Sequence, residues 1–299
     1  MVFYSQKDTD TVFTPSQFQD WATESFSDFA YDELVENSWG LRALANDRDF
    51  LLASYHRELD QLDREISGNI LSPQSVTIIR SPSFFVRANI WLPKLEDRLH
   101  QKSEQTLYAY ELPHDHNFHF ATVGYFGQGY HTDLFKYDVG KVVGYIGEKV
   151  DVEACGSRTL GPGDTMVYKA NEDIHIQYEP NSLSVSLNFI PINEHIFTSP
   201  QFVFDPNEKT ICAGVSDQVA SRLFLLDFFR HVYNDETVKI LDDVMTKHQC
   251  PRTRGMALSV LREISPSDED FFLRKASPNI LQFSRSDLVS AGYSRLREG

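Results

Sequence analysis

The sequence predicts a mainly β protein, a jelly-roll β-barrel or double-stranded β-helix with α-helices at its N- and C-terminal ends. Between residues 75 and 192, short β-branched and aromatic runs are separated by Gly- and Pro-containing turns, with no helical pattern between them. On either side of this region, apolar residues recur at helical spacing. Many short strands without intervening helices favour an antiparallel sandwich or barrel. We therefore divide the chain into a helical segment at 1–70, a β-barrel at 71–200 and a helical segment at 201–299.

The N-terminal segment begins with helix signals. Pro15 follows Thr14 as a proline at the first helical position follows a capping residue. Apolar side chains then recur every three or four positions at Leu51, Leu52, Tyr55, Leu59 and Leu62. The segment is strongly acidic, which fits a solvated helical face and, as an alternative, a docking surface. We expect it to pack on the barrel.

The central segment contains nine strand-like runs. Breaks fall at Ser-Pro, Gly-Gln-Gly, Asp-Val-Gly, Gly-Pro-Gly-Asp and Pro-Asn-Ser. The predicted strands are 76–79, 84–91, 107–110, 118–126, 133–137, 142–145, 165–168, 174–178 and 183–189.

The C-terminal segment returns to helical periodicity. Val219, Leu223 and Leu226 share one face behind a Ser216 cap, and a second amphipathic run follows Asn234. A Ser-Asp-Glu-Asp sequence at 267–270 is typical of a capped start to another short helix.

The composition excludes several function classes. The chain of 299 residues has 28 Lys and Arg against 43 Asp and Glu, a net charge of −15, which repels phosphate backbones and anionic lipid. We therefore expect neither a nucleic-acid nor a membrane partner. No secretion signal or long apolar run is recognisable, and three widely spaced cysteines argue against a disulfide framework. These observations favour a cytoplasmic protein.

The region 112–120 carries the first candidate metal ligands. Alternate residues of a strand share a face, so His114 and His116 point the same way. The same face continues through Phe118 and Phe120, whereas Asp115, Asn117 and His119 point oppositely. Two imidazoles so placed bind one divalent ion. His119 would join them only if a bulge turned it inward, and we expect it instead at the surface or hydrogen-bonded behind the ligands.

A second region brings a third imidazole. A Gly-Asp turn at 163–164 precedes a strand, a polar turn and a strand that carries His175. Such a hairpin places His175 across the barrel from the first two histidines. Together, His114-x-His116, Gly127 or Gly129, Pro162-Gly163-Asp164 and His175 resemble the paired motifs of the cupin superfamily.

The resemblance covers residues 107–190 and implies a cupin-type barrel with a mononuclear metal site. Cupins commonly add a Glu four or five residues after the second His, but Phe120 and Ala121 occupy those positions here. The remaining set of His114, His116 and His175 is similar to that of three-His non-haem iron oxygenases. This resemblance implies Fe(II), although three imidazoles also suit Zn, Mn, Ni or Cu. It also implies a small-molecule substrate, O2 as co-substrate and a homodimer paired through barrel edges.

Tyr168 and Gln177 are the candidate catalytic residues beside this centre. They lie on the two strands that flank the predicted site, where a tyrosine could orient O2 or substrate. Most aromatic side chains of the barrel have the simpler role of core packing.

Three alternatives remain open at this level. His131, Asp133 and His175 would form the two-His-one-carboxylate site of a 2-oxoglutarate-type Fe(II) oxygenase, with Arg158 or Arg87 as carboxylate partners. The three-His site could instead support non-redox chemistry as an isomerase, hydrolase or lyase. The barrel could also bind a ligand without catalysis. Phosphate-loop, dinucleotide-binding, serine-hydrolase and zincin motifs are missing from the sequence.

Overall fold

The computed structural model describes residues 1–61, 70–72, 74–94, 108–215 and 217–285. It divides the chain into two compact units. Unit 1 comprises Met1–Lys136 and Glu153–Asn193, and unit 2 comprises Tyr137–Val152 and Glu194–Gly299. The predicted division at 1–70, 71–200 and 201–299 stays a prediction.

Unit 1 contains four described helices and ten described strands. The helices are α1 (Pro15–Ser25), α2 (Tyr31–Glu36), α3 (Ser38–Ala45) and α4 (Phe50–Gln61). The strands are β1 (Phe3–Ser5), β2 (Ile70–Ser72), β3 (Ser75–Arg80), β4 (Phe84–Trp91), β5 (Phe120–Phe126), β6 (Tyr130–Lys136), β7 (Glu153–Leu160), β8 (Thr165–Tyr168), β9 (Asp173–Gln177) and β10 (Ser184–Pro191).

Two antiparallel sheets are built from these strands. The large sheet has the order β1-β8-β5-β10-β4-β3-β2, and the small sheet has the order β7-β6-β9. Buried side chains of both sheets form one apolar cluster, in which the rings of Trp91 and Tyr130 lie 4.1 Å apart. Antiparallel sheets with this shared core fit the cupin-like β fold that the sequence predicts. Closure into a jelly-roll barrel stays a prediction.

Strand β4 shows how the two faces of the large sheet differ. Its residues Phe84, Val86 and Ala88 pack with apolar side chains of α1 and α3 in a second core cluster. The alternate positions belong to the opposite face, which is shared with the small sheet and carries Arg87 and Trp91. The N-terminal helices therefore cover the outer face and leave the inner face to the candidate site.

The α1 start also agrees with the sequence prediction. The Thr14 side chain accepts from the Gln17 backbone N–H, the Gln17 side chain accepts from the Thr14 backbone N–H, and Pro15 occupies the first turn.

Unit 2 is mainly helical. Its described elements are a 3-10 turn (Val139–Lys141), α5 (His195–Thr198), β11 (Phe202–Asp205), β12 (Thr210–Gly214), α6 (Gln218–Phe228), α7 (Asp235–Lys247), α8 (Pro251–Ile264), a second 3-10 turn (Pro266–Asp268), α9 (Glu269–Lys275) and α10 (Pro278–Leu281). Helix α8 is buried along most of its length among α6, α7, α9 and α10. The predicted C-terminal helices are thus confirmed.

Two predicted strands are wrong where the structure describes them. Tyr108 has helical backbone, residues 109 and 110 form a turn in which Ala109 has φ of 54°, and residue 107 lies outside the described residues. Residues 142–145 form a loop because the Glu148 carboxylate accepts the backbone N–H groups of Val143 and Gly144, which a strand would offer to a neighbouring strand.

Other elements differ from the prediction in smaller ways. Strand β7 was not predicted, because most of its residues are exposed and show no apolar alternation. Ser216 lies outside the described residues, and the cap of α6 is Asp217, whose side chain accepts from the Ala220 N–H at 2.7 Å.

The three cysteines are free. In the part of the chain that the structure describes, no helix has the length and apolar character needed to span a membrane.

Candidate metal centre

His114 and His175 are neighbours through a short backbone bridge. The His114 N–H donates to the His175 carbonyl at 3.2 Å, and the His175 N–H donates to the His114 carbonyl at 3.0 Å. Residues paired in this way present their side chains on the same face. The bridge therefore sets the two imidazoles side by side, with ring centroids 4.5 Å apart.

His116 is held by the turn that precedes β9. The Asn171 N–H donates to the His116 carbonyl at 2.7 Å, and the Asn171 side chain donates to Asp115 at 3.3 Å. Asn171 has φ of 51°, a left-handed conformation that asparagine tolerates better than most residues. The turn that leads to His175 thus also fixes the His114-x-His116 segment, so both motifs are positioned by one structure.

The three histidines converge through their Nε2 atoms. His175 Nε2 lies 3.1 Å from His114 Nε2 and 3.2 Å from His116 Nε2. Imidazole nitrogens about 2.1 Å from one ion lie about 3.0 Å apart at right angles and about 3.4 Å apart in a tetrahedron. The observed separations fall between these values. The structure therefore brings the three predicted ligands together in one group.

The protonation states of these residues suit a cation. His114 Nδ1 lies 2.8 Å from the Leu112 carbonyl, which only accepts, so Nδ1 carries the proton and Nε2 offers a lone pair. Burial lowers the pKa of His114 and brings that of His175 well below its usual value, and the Arg87 charge lowers both further. If His175 Nε2 carried a proton, its single N–H could donate to only one of the two neighbouring atoms, His114 Nε2 and His116 Nε2. A bound cation would accept the lone pairs of all three Nε2 atoms. The donor set thus fits a divalent transition metal.

Aromatic rings surround the three histidines. The His116 ring lies 4.8 Å from the Phe118 ring and 5.0 Å from the Phe120 ring, which confirms that these side chains continue the histidine face. His175 Nδ1 is buried without a hydrogen-bond partner among the described residues. The orientation of the His175 ring is therefore set by packing, which includes contact with Tyr168 at 4.9 Å.

The two predicted catalytic residues lie close to the site. Tyr168 contacts His175 through its ring, and Gln177 shares the buried face of β9 two residues beyond His175. Burial raises the pKa of Tyr130 to about 12, against the opposing effect of hydrogen bonds with Gln177 and Thr122. Gln177 therefore belongs to a polar group on the inner face. Catalytic roles for Tyr168 and Gln177 stay predictions.

The remaining histidines of the two strand regions lie elsewhere. The half-exposed His131 is paired with Asp133 at 3.4 Å, and Asp133 also accepts a hydrogen bond from Tyr178 at 2.8 Å. The structure does not bring His131 and Asp133 into the group of His175. His119 Nδ1 accepts from the Ala170 N–H at 2.8 Å, so it helps to hold the segment, as expected for a histidine behind the ligands.

Asn171 and Arg87 were not predicted in these roles. Asn171 lies in an unremarkable Lys-Ala-Asn-Glu-Asp turn, although an asparagine before an acidic turn residue is a weak signal for left-handed backbone. The sequence alone assigns Arg87 only as a carboxylate partner in the 2-oxoglutarate-type alternative. Its place on the inner face of β4 depends on the sheet register, which pairs it with Thr77 and Asn188.

Comparisons with known proteins add distant structural likenesses. No protein-family model matches the chain, and no curated protein is detectably similar in sequence. Solved structures with partial overlap include hydroquinone 1,2-dioxygenase PnpCD in complex with Cd2+ and 4-hydroxybenzonitrile, at 11% identity and a TM-score of 0.27, over 42% of this chain and 68% of that one. The hydroquinone 1,2-dioxygenase of Sphingomonas sp. TTNP3 with 4-hydroxybenzoate bound gives 10% identity and a TM-score of 0.28, over 43% and 71%.

DMSP lyase DddQ from Ruegeria pomeroyi DSS-3 overlaps more of the chain, at 11% identity and a TM-score of 0.25, over 64% of this chain and 78% of that one. Overlaps at these scores assign neither the fold nor an activity to this protein. The fold and the activity are therefore inferred from the geometry of this protein's own residues.

Proposed function

We propose that this protein is a mononuclear metalloenzyme that binds Fe(II) through His114, His116 and His175 and oxidises a small molecule with O2. The observation that carries the proposal is the convergence of three Nε2 atoms at 3.1 and 3.2 Å in a largely buried site. Three neutral imidazoles leave the charge of a divalent ion undiminished and leave about three coordination positions for other ligands. Bound Fe(II) would supply the electron-transfer chemistry that the reaction of O2 with an organic molecule requires.

The residues of the chain would prepare this site in three ways. The backbone bridge between His114 and His175 orients two ligands before any ion binds. The hydrogen bond from His114 Nδ1 to the Leu112 carbonyl keeps the Nε2 lone pair available. The Phe118 and Phe120 rings exclude water from one side of the ligands.

Elemental analysis of anaerobically purified protein tests the proposal. We expect near-stoichiometric iron in the wild type and its loss in the combined His114→Ala, His116→Ala and His175→Ala variant, since the described residues contain no second group of three converging ligands. His131→Ala is the matched control, because His131 is half-exposed and lies outside the histidine group. It should retain iron.

Each other result has a definite meaning. Stoichiometric zinc or manganese in place of iron would contradict the oxygenase and favour Lewis-acid chemistry by the same ligands. Metal retained in the triple variant would exclude these histidines as ligands, and no metal in any sample would overturn the metalloenzyme. The single variant His116→Gln, checked by circular dichroism, separates loss of metal from loss of folding. With iron confirmed, substrate-dependent O2 uptake should be measurable across a panel of small organic acids and phenols.

A further inference from the structure

Four buried polar atoms on β3 and β4 lack a hydrogen-bond partner among the described residues. They are Ser75 Oγ, Thr77 Oγ1, Arg87 Nε and Asn89 Oδ1. The register of the two strands pairs Ser75 with Asn89 and Thr77 with Arg87. Directly paired residues share a face of the sheet, and their Cβ atoms lie about 5 Å apart. The four side chains therefore form one group, which we call the β3–β4 polar cluster.

The cluster lies on the inner face, beside the candidate metal centre. Arg87 and Asn89 alternate with Val86 and Ala88, which pack against the N-terminal helices on the outer face. Arg87 is paired with Asn188 on β10, and Asn188 Oδ1 accepts from Thr122, which lies two residues along the inner face of β5 from Phe120. The Phe120 ring contacts the His116 ring with centroids 5.0 Å apart, so the cluster and the histidines share this face. Burial lowers the pKa of Arg87 itself only to about 10, so it stays charged at neutral pH.

An unmatched charge in this position needs a partner. No described carboxylate forms an ion pair with Arg87, and a buried guanidinium without an anion is costly. Arg80 is the only other cation on the described strands of the large sheet, and it is exposed. A single guanidinium matches the charge and the two-oxygen geometry of one carboxylate. Asn89 Oδ1 in turn accepts only from a donor, such as a hydroxyl or ammonium group.

We propose that the β3–β4 polar cluster binds the substrate, that Arg87 takes a carboxylate and that Asn89 accepts from a hydroxyl or ammonium group next to it. The substrate class is then a small hydroxy acid or amino acid. The inference rests on the proposed function, because it places this molecule beside the metal. The two hydroxyls of Ser75 and Thr77 complete the cluster, since each can donate to the carboxylate or accept from the adjacent group.

Isothermal titration of the metal-loaded protein tests the subsite with four probes, namely lactate, propionate, lactamide and 1,2-propanediol. We expect lactate to bind at least tenfold more tightly than lactamide or 1,2-propanediol, which lack the carboxylate, and more tightly than propionate, which lacks the hydroxyl. This comparison uses the wild type alone and so does not depend on any variant folding. Equal affinity for lactate and lactamide, or no lactate binding up to about 50 mM, overturns the proposal.

Variants then assign the effect to residues. Arg87→Met should weaken lactate binding at least tenfold, and Arg87→Lys should weaken it less, because it keeps the charge but loses the planar fork. Asn89→Leu should abolish the advantage of lactate over propionate. Arg80→Met is the matched control, an exposed strand arginine on β3, and should bind lactate as the wild type does. Unchanged binding in a folded Arg87→Met protein contradicts the subsite.

The two proposals can fail separately. Metal content that is normal in Arg87→Met, with lactate binding also unchanged, would refute the subsite and leave the metalloenzyme intact. Conversely, a protein that holds no metal in any sample but binds lactate in an Arg87-dependent way would refute the metal centre and leave the subsite intact.

Discussion

Tyr168 contacts the candidate metal centre through its aromatic ring. The ring lies edge-on to His175 and stacks on Phe120 with centroids 4.6 Å apart. Burial raises the pKa of the hydroxyl well above its usual value, so it stays protonated, and it approaches Met166 Sδ at 3.4 Å. We expect Tyr168→Phe to keep its metal and lose about 1 kcal/mol of stability, and Tyr168→Ala to lose about 4 kcal/mol and most of the metal. Elemental analysis measures the metal content, and urea denaturation measures the free energy of unfolding. Loss of metal in Tyr168→Phe would show that metal binding needs the hydroxyl as well as the ring.

Helix α3 is fixed to α1 by a close approach that only glycine permits. A Cβ on Gly40 would lie 2.0 Å from the ring of Trp21, in the layer that covers the outer face of the large sheet. Alanine favours helices by about 1 kcal/mol over glycine, but the overlap should reverse the sign, so Gly40→Ala is expected to destabilise by about 1–3 kcal/mol. The control is a double-mutant cycle with Trp21→Leu, in which Gly40→Ala should become neutral or stabilising. A stabilised Gly40→Ala single variant in denaturant unfolding would contradict the packing.

The three histidines of the candidate site belong to unit 1, and unit 2 has stabilising contacts of its own. In unit 2 the buried Glu148 carboxylate accepts from the backbone N–H groups of Val143 at 2.8 Å and Gly144 at 2.5 Å. Charged acceptors make stronger hydrogen bonds than neutral ones, so Glu148→Gln should cost about 2 kcal/mol. Calorimetry should show a lower unfolding temperature, while iron content stays at the wild-type level because all three histidines belong to unit 1. Iron lost together with stability would contradict this expectation.

Local rules in the sequence predicted much of the fold. The Thr14 cap, the predicted strands at 84–91 and 165–168, and the C-terminal helices follow from side-chain periodicity and capping chemistry, which act over a few residues. The strands that the sequence predicts wrongly or misses depend on contacts between residues farther apart in the chain. Residues 142–145 have strand-like composition, but Glu148 takes their N–H groups. Strand β7 lacks apolar alternation and is paired along its length with β6.

The sequence by itself determined which side chains could bind a metal, because the alternation of His114 and His116 and the hairpin before His175 are local patterns. The tertiary structure decided how they meet, since the bridge between His114 and His175 joins residues that lie far apart in the chain. It also decided that Asp133 binds Tyr178 outside the histidine group. Only the register of β3 and β4 could reveal Arg87 and Asn89 as one cluster with Ser75 and Thr77. Strand register depends on the burial of whole faces, and no short stretch of sequence specifies it alone.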